Sequence, residues 1–175
     1  EKRWFASARD AVTREIELCG TRVPLGNDLL FRARHMPLFT FGVELCEDLW
    51  APVPPSTLHA VNGALFLLNA SASDELVGKA DYRRQLVTQQ SARCLAGYAY
   101  CSAGVDESTT DLVFGGHAMI AENGAILEES SRFTREPGML IADVDAGFLE
   151  HERWQYTTFA DGAAAYAARQ GSAAP

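Results

Sequence analysis

The chain has 175 residues, of which 47% are hydrophobic and 22% charged, the balance of a globular domain with a core of its own. Its net charge of −8 argues against non-specific nucleic-acid or anionic-membrane binding, which requires clustered Lys and Arg. No apolar run of about 20 residues is present, so no membrane-spanning helix is expected, and EKRWFASARD lacks the apolar centre of a signal peptide.

Residues 1–14 are charged, carry no capping residue, and read as the end of something rather than the start of a domain. Residues 12–19 and 31–34 are strand-like, with Gly20 and the turn signals PLGND (24–28) between them. An apolar run over 38–45 ends at Cys46 within FGVELCEDLW (41–50), and Pro52, Pro54 and Pro55 break the chain after Trp50. Pro55 or Ser56 starts a short helix through Asn62. ALFLLN (64–69) is a continuous apolar run, as in a strand covered on both faces, and stops in a small polar loop with Ser71 and Ser73.

A long helix is predicted over 79–97, with Tyr82, Leu86, Val87, Gln90 and Cys94 on its buried face, Arg83, Arg84, Gln89 and Arg93 largely elsewhere, and Gly97 as its stop. Residues 98–103 read as a strand and GVDESTTD (104–111) as a polar surface loop. Residues 114–121 and 125–132 form a hairpin through Asn123-Gly124. A last strand follows over 139–144, then a helical turn over 145–151 capped by Asp145. From Gly162 the composition of Ala, Gly and Ser suits a loosely held helix or a disordered linker. This order gives an α/β chain with helices packed outside a sheet of mixed strands.

Cys46 carries the chemistry of interest, because the carboxyl end of a strand is where open α/β sheets place their sites. Carboxylates do not activate a neighbouring thiol, so a nucleophile here needs a cation or a base from elsewhere. The same ten residues also fit a small buried cysteine beside solvated acids. Asp48 reads as a hydrogen-bonding structural acid. Cys19, Cys94 and Cys101 read as core fillers, and without any C-x-x-C spacing all four thiols are expected free, in a reducing, cytoplasmic compartment. His35, His59, His117 and His151 have no zinc-type spacing, so no metal site is expected.

GVELCEDLW, the NASAS loop with Gly78-Lys79-Ala80 behind it, SARCLAGYAY, and GVDESTTDLVFGGHAMIAENGAIL occur in that order over residues 1–150. Together they resemble the glutamine amidotransferase domain of the glutamine-dependent NAD synthetases, within the nitrilase superfamily. The resemblance implies an α-β-β-α sandwich, and a Glu-Lys-Cys catalytic set that hydrolyses glutamine through a glutamyl thioester. It implies Cys46 as nucleophile and Glu47 as an oxyanion donor through its N–H that also helps fix the site. Trp50 would line the glutamine pocket, while Ser73 and Lys79 would hold the α-amino and α-carboxylate end. A cation facing a carboxylate is sound chemistry for Lys79.

The family's catalytic Lys lies shortly before the EKRWF-like segment and its Glu further upstream. Neither has a counterpart here, and Lys2 is no substitute. The chain is therefore expected to be an N-terminally truncated sandwich, inactive or nearly so alone, with apolar sheet surface uncovered and low solubility. Residues 1–150 would be the glutaminase part and 151–175 a tail toward a synthetase domain. The implied partners are L-glutamine, that synthetase domain and further copies in a homo-oligomer, with no nucleic acid and no membrane. No cofactor is expected for this part, ATP and Mg belonging to the synthetase domain. Two other readings remain: a non-catalytic nitrilase-like assembly module, and, less well supported by ELCEDLW and GVDESTTD, an amidase of another nitrilase branch.

Overall fold

Six strands form the sheet on which the rest of the chain is built. The computed structural model describes residues 6–7 and 10–172, with side chains through Arg169; Lys2 and most of the charged start lie outside the described residues. Strands β1 (Glu15–Leu18) and β2 (Thr21–Pro24) make a separate hairpin. Its turn is Cys19-Gly20, at φ 50° and 75°, the double positive φ that a two-residue turn needs to match strand twist. Gly20 is the turn signal that the sequence offers here; β2, between it and PLGND, is an addition to the strands expected.

The main sheet has the order β3 (Leu30–Ala33), β4 (Met36–Leu45), β5 (Phe66–Ser71), β6 (Gly97–Ser102), β7 (Ala118–Glu122), β8 (Ala125–Glu129). The central β4, β5 and β6 are parallel and the outer pairs antiparallel. Parallel neighbours need crossovers, and α1 (Pro55–Val61) and α2 (Lys79–Cys94) supply them. The two helices pack together on one face of the sheet. Pro55 opens α1 at the one place where its missing N–H costs nothing. Asn123 and Gly124, at φ 44° and 88°, close the β7–β8 hairpin as the sequence predicts.

Alternation along β4 separates the two faces of the sheet. Thr40, Gly42 and Glu44 are buried under the helices, whereas Val43 and Leu45 are exposed. Beneath the helices lies one core of Leu49, Leu67, Val87, Tyr98, Tyr100, Met119 and their neighbours. On the other face Phe31 stacks on Phe41 at 5.1 Å, and Phe39 meets Phe66 at 4.9 Å. On that face Phe31, Val43 and Leu45 are exposed.

Gly42 lets α1 approach β4. A Cβ there would lie 2.5 Å from Cγ of His59, whose buried ring donates from Nε2 to the Val43 carbonyl at 3.1 Å. Gly42→Ala is accordingly expected to destabilise by about 1–3 kcal/mol, as overpacking does. Chemical denaturation of the variant measures it, with an unchanged slope against denaturant.

Four expectations are corrected. The α2 helix ends in Leu95, left-handed at φ 45°, whose N–H bonds back to Ser91 and Ala92, while Gly97 already belongs to β6. Within α2, Tyr82 is exposed and Arg83 is wholly buried. Residues 139–144 join no ladder: Met139 and Ile141 are exposed, and Val144 instead packs over Gly97 at the sheet's end. Of the three cysteines expected in the core only Cys94 is there; Cys19 sits in the exposed turn and Cys101 on the open face. Burial pushes the Cys94 thiol up to about 12, so it is an inert filler.

The chain ends in α3 (Ala146–Gln155), capped by the Asp145 carboxylate on the Phe148 N–H at 2.8 Å, and α4 (Thr157–Ser172). Residues 162–172 are thus helical. No helix among the described residues is long and apolar enough to cross a membrane.

Candidate functional site

The chain leaves β4 at Leu45 and turns at once into a single 3-10 segment, Cys46–Trp50. Cys46 opens it at φ 47°, a left-handed conformation that costs a non-glycine residue on the order of 1–3 kcal/mol and persists only where its surroundings hold it. Asn69 and Asp48 hold this turn. The Cys46 N–H donates to Asn69 Oδ1 at 3.1 Å, and its carbonyl accepts from Asn69 Nδ2 at 3.4 Å. One residue earlier, the Leu45 N–H donates to Asp48 Oδ2 at 2.9 Å, the structural part foreseen for Asp48.

Asn69 belongs to a polar column that runs under Cys46. Its Nδ2 donates to the Tyr98 hydroxyl at 3.2 Å, Tyr98 donates to Glu44, and Glu44 accepts from the Ser56 N–H at 2.8 Å. Burial and the Glu44 carboxylate push the Tyr98 phenol well above its ordinary range, which fixes it as a neutral donor. Every member of the column is satisfied, and such networks rigidify what they carry. The load here is a half-buried thiol at the top of a strand.

Parallel pairing aligns the strand ends. Leu45 is opposite Ala70, and Ala70 is opposite Cys101, so Cys46, Ser73 and Ser102 all follow onto one carboxyl edge. Ser73 is buried; its N–H donates to Ser102 Oγ at 3.3 Å and its Oγ accepts from Arg83 at 3.4 Å. Lys79, the first residue of α2, is ion-paired to Asp74 in the same loop. Trp50 is half-buried and meets Tyr82 of α2 edge-on at 6.5 Å. The Glu47 side chain is exposed. Strand order thus brings Cys46 and Ser73 to one edge, with Lys79 tethered beside Ser73, while Trp50 packs against α2. A cavity of about 370 Å³ lies instead against α3 and α4, lined by Ala60, Gly63 and Leu65 near the amino end of β5.

Comparison with known proteins identifies this architecture. Residues 2–152 match the family model for carbon-nitrogen hydrolases. The chain belongs to the carbon-nitrogen hydrolase family. A glutamine-dependent NAD(+) synthetase of Mycobacterium tuberculosis is 46% identical over 161 residues, covering 92% of this chain and 24% of that protein. Among solved structures, a glutamine-dependent NAD(+) synthetase from Cytophaga hutchinsonii aligns with a TM-score of 0.62 at 26% identity, over 76% of this chain and 20% of that one. Saccharomyces cerevisiae Nit3, of the nitrilase superfamily, aligns with a TM-score of 0.58 at 20% identity, over 76% of this chain and 46% of that one. The fold is that of the nitrilase superfamily, here a six-stranded sheet with helices covering one face. The chain spans about a quarter of the length of the M. tuberculosis relative.

The same edge of the sheet carries a charge network that the sequence reading passed over. Arg83 is 0% exposed. It donates to Glu75 at 2.8 Å, to His117 Nδ1 at 3.0 Å, and at longer range to Ser73 Oγ and the Asp74 carbonyl. Its guanidinium carbon stands 5.8 Å from the centre of the Tyr100 ring. Glu75 also takes Arg132 at 3.2 Å, and Glu129 pairs with both His117 and Arg84. A signal was available: Arg83, Val87, Gln90, Ser91 and Cys94 recur at helical spacing.

Arginine only donates, so His117 must accept at Nδ1 and carry its proton on Nε2, which donates to Glu129 at 2.9 Å. Burial lowers the His117 pKa, the Arg83 cation adds to this, and Glu129 and Glu75 oppose it. The unfolded chain therefore binds this proton more readily than the folded one. Stability from His117 is full above its unfolded value of about 6.5 and drains away as pH falls through that value toward the lowered one. Thermal unfolding between pH 5 and 7.5 is expected to show this slope, and His117→Gln to flatten it. An equal slope in the variant would assign the effect elsewhere.

Proposed function

We propose that this chain is the glutamine-hydrolysing part of a glutamine-dependent NAD synthetase, with Cys46 as its nucleophile. The observation that carries the reading is the left-handed Cys46 at the end of β4, held by Asn69 and the column beneath it. The mycobacterial likeness over 92% of the chain supports the same reading.

In this reading Cys46 Sγ attacks the carboxamide carbon of glutamine, its proton passing to a general base. The tetrahedral adduct expels ammonia and leaves a glutamyl thioester, which water hydrolyses to glutamate and the free thiol. The Glu47 N–H lies in the first turn after Cys46, where amides have no partner within the helix. Aimed at the developing oxyanion, such a donor is worth about 3 kcal/mol. Ser73 and Lys79 meet the α-amino and α-carboxylate end, Trp50 walls the pocket, and the exposed Glu47 side chain helps fix the site. The ammonia serves amidation of deamido-NAD on the synthetase domain, where ATP and Mg act; residues 1–150 need no cofactor of their own, and 151–175 lead toward that domain.

The general-base Glu and the Lys that the resemblance implies have no counterpart at the matching positions of residues 1–175. These residues alone are expected to release no ammonia, and the test belongs to the full-length protein. An electrophilic glutamine analogue should add once per chain, on Cys46, with glutamine protecting. A full-length protein that hydrolyses no glutamine and leaves Cys46 unlabelled would instead be an assembly module.

A further inference from the structure

Arg83 reaches three consecutive residues of the loop that follows β5: the Ser73 hydroxyl, the Asp74 carbonyl and the Glu75 carboxylate, at 3.4, 3.5 and 2.8 Å. The Asp74 carboxylate, in turn, holds Lys79. Ser73 and Lys79 are the two side chains assigned above to the substrate's amino-acid end. We propose that Arg83 is a positioning residue that presets this loop for the head group of the amide substrate; the inference rests on the glutaminase reading.

Geometry favours positioning over simple charge pairing. One ion pair with Glu75 would answer the charge, yet the guanidinium spreads its donors over a hydroxyl, a carbonyl, a carboxylate and the His117 ring. It does so while leaving its own buried Nε–H without a hydrogen-bond partner. A native group left short of partners calls for a reason, and a fork held where the loop needs it supplies one. The planar fork also explains arginine over lysine, since an ammonium cannot serve such divergent acceptors from one place. The loop has no strand or helix of its own between Ser71 and Lys79. Its other anchors are the Ser73 N–H on Ser102, the Glu75 N–H on the Val113 carbonyl, and the bridge of Asp74 to Phe114. Those fix the backbone, and among the described residues Arg83 is what grips the Ser73 hydroxyl.

The test compares two alkylations of Cys46 in the full-length protein, by iodoacetamide, which carries no amino-acid head, and by an electrophilic glutamine analogue, which does. Arg83→Gln is expected to raise KM for glutamine and to slow the analogue by about tenfold or more, with kcat and the iodoacetamide rate changed far less. Arg83→Lys should fall between. Should Arg83→Gln not fold, Arg83→Lys is combined with Ser73→Ala: positioning through Ser73 makes the two KM effects overlap rather than multiply. The inference is overturned if both alkylations slow together in step with the melting temperature, if KM stays at the wild-type value, or if the two substitutions multiply independently. Wild-type protein in the same run separates the two layers: failure of the analogue to label Cys46 there overturns the glutaminase reading, and this inference with it.

Discussion

Cys46→Ala is expected to abolish ammonia release from glutamine by the full-length protein, lowering kcat by roughly ten-thousandfold or more, as loss of a nucleophile does elsewhere. Without Sγ there is no thioester path. Stability should barely change, because alanine keeps the Cβ that makes φ 47° costly and Cys46 is only half-buried. Cys46→Gly separates strain from chemistry. Glycine occupies the left-handed region freely, so this variant should be as inactive as Cys46→Ala yet more stable, by about 1 kcal/mol. An inactive variant more stable than wild type would show that the fold carries strain at this position for the sake of the thiol. Activity surviving in Cys46→Ala would remove the assignment altogether. Equal stabilities for the alanine and glycine variants would mean that the turn relaxes, and that the Asn69 clamp holds nothing in tension.

What was legible in the sequence was local. The run into Cys46, the Pro55 helix start, the start of α2 at Lys79 and the Asn123-Gly124 turn each depend on neighbours within a few residues, and each stands where expected. The missed features depend on distant partners. Arg83 reads as a solvated helix residue until Glu75 and His117, 8 and 34 positions away, are brought beside it. Asn69 reads as a strand terminus until the parallel register sets it under Cys46, 23 positions back. Residues 139–144 are a short apolar run like that of a strand, but such a run states only that the segment seeks cover. It does not supply a free edge to pair with, and Val144 packs over Gly97 instead. The family resemblance named Cys46, Ser73 and Lys79. It did not reveal what holds them, because the supports are hydrogen bonds across the sheet rather than a motif along it.

The largest stability effect is expected at Arg153, far from the thiol. Its side chain, from α3, donates through Nε to the Leu95 carbonyl at 3.1 Å. Through Nη1 it donates to Ala60 at 3.4 Å, and through Nη2 to Ala64 and Cys94, each at 2.7 Å. Three of these carbonyls lie at the ends of α1 and α2 and the fourth at the start of β5, so one cation closes two helix C-termini, where the carbonyls are orphaned and the dipole is negative. The guanidinium also sits 4.8 Å from the centre of the Phe159 ring, which ties in α4. Burial lowers its pKa to about 10, which leaves it charged at neutral pH. Bonds from a charged donor are each worth about 1.5–3 kcal/mol net, and those sharing a side chain do not sum. Arg153→Ala should therefore cost about 3–4 kcal/mol, a large share of a total stability of roughly 5–15. Arg153→Lys should recover less than half, since one ammonium cannot span four carbonyls. Denaturant unfolding measures both, and weak salt dependence would mark the contacts as buried rather than surface ion pairing. Amide exchange should rise first over 146–155, where α3 loses its anchor. Because the latch grips the edge of the sheet remote from Cys46, kcat in the folded full-length variant should stay near wild type. A loss below about 1 kcal/mol, or full rescue by lysine, would mean that these carbonyls find other partners and that α3 is held by Leu149 and its packing alone.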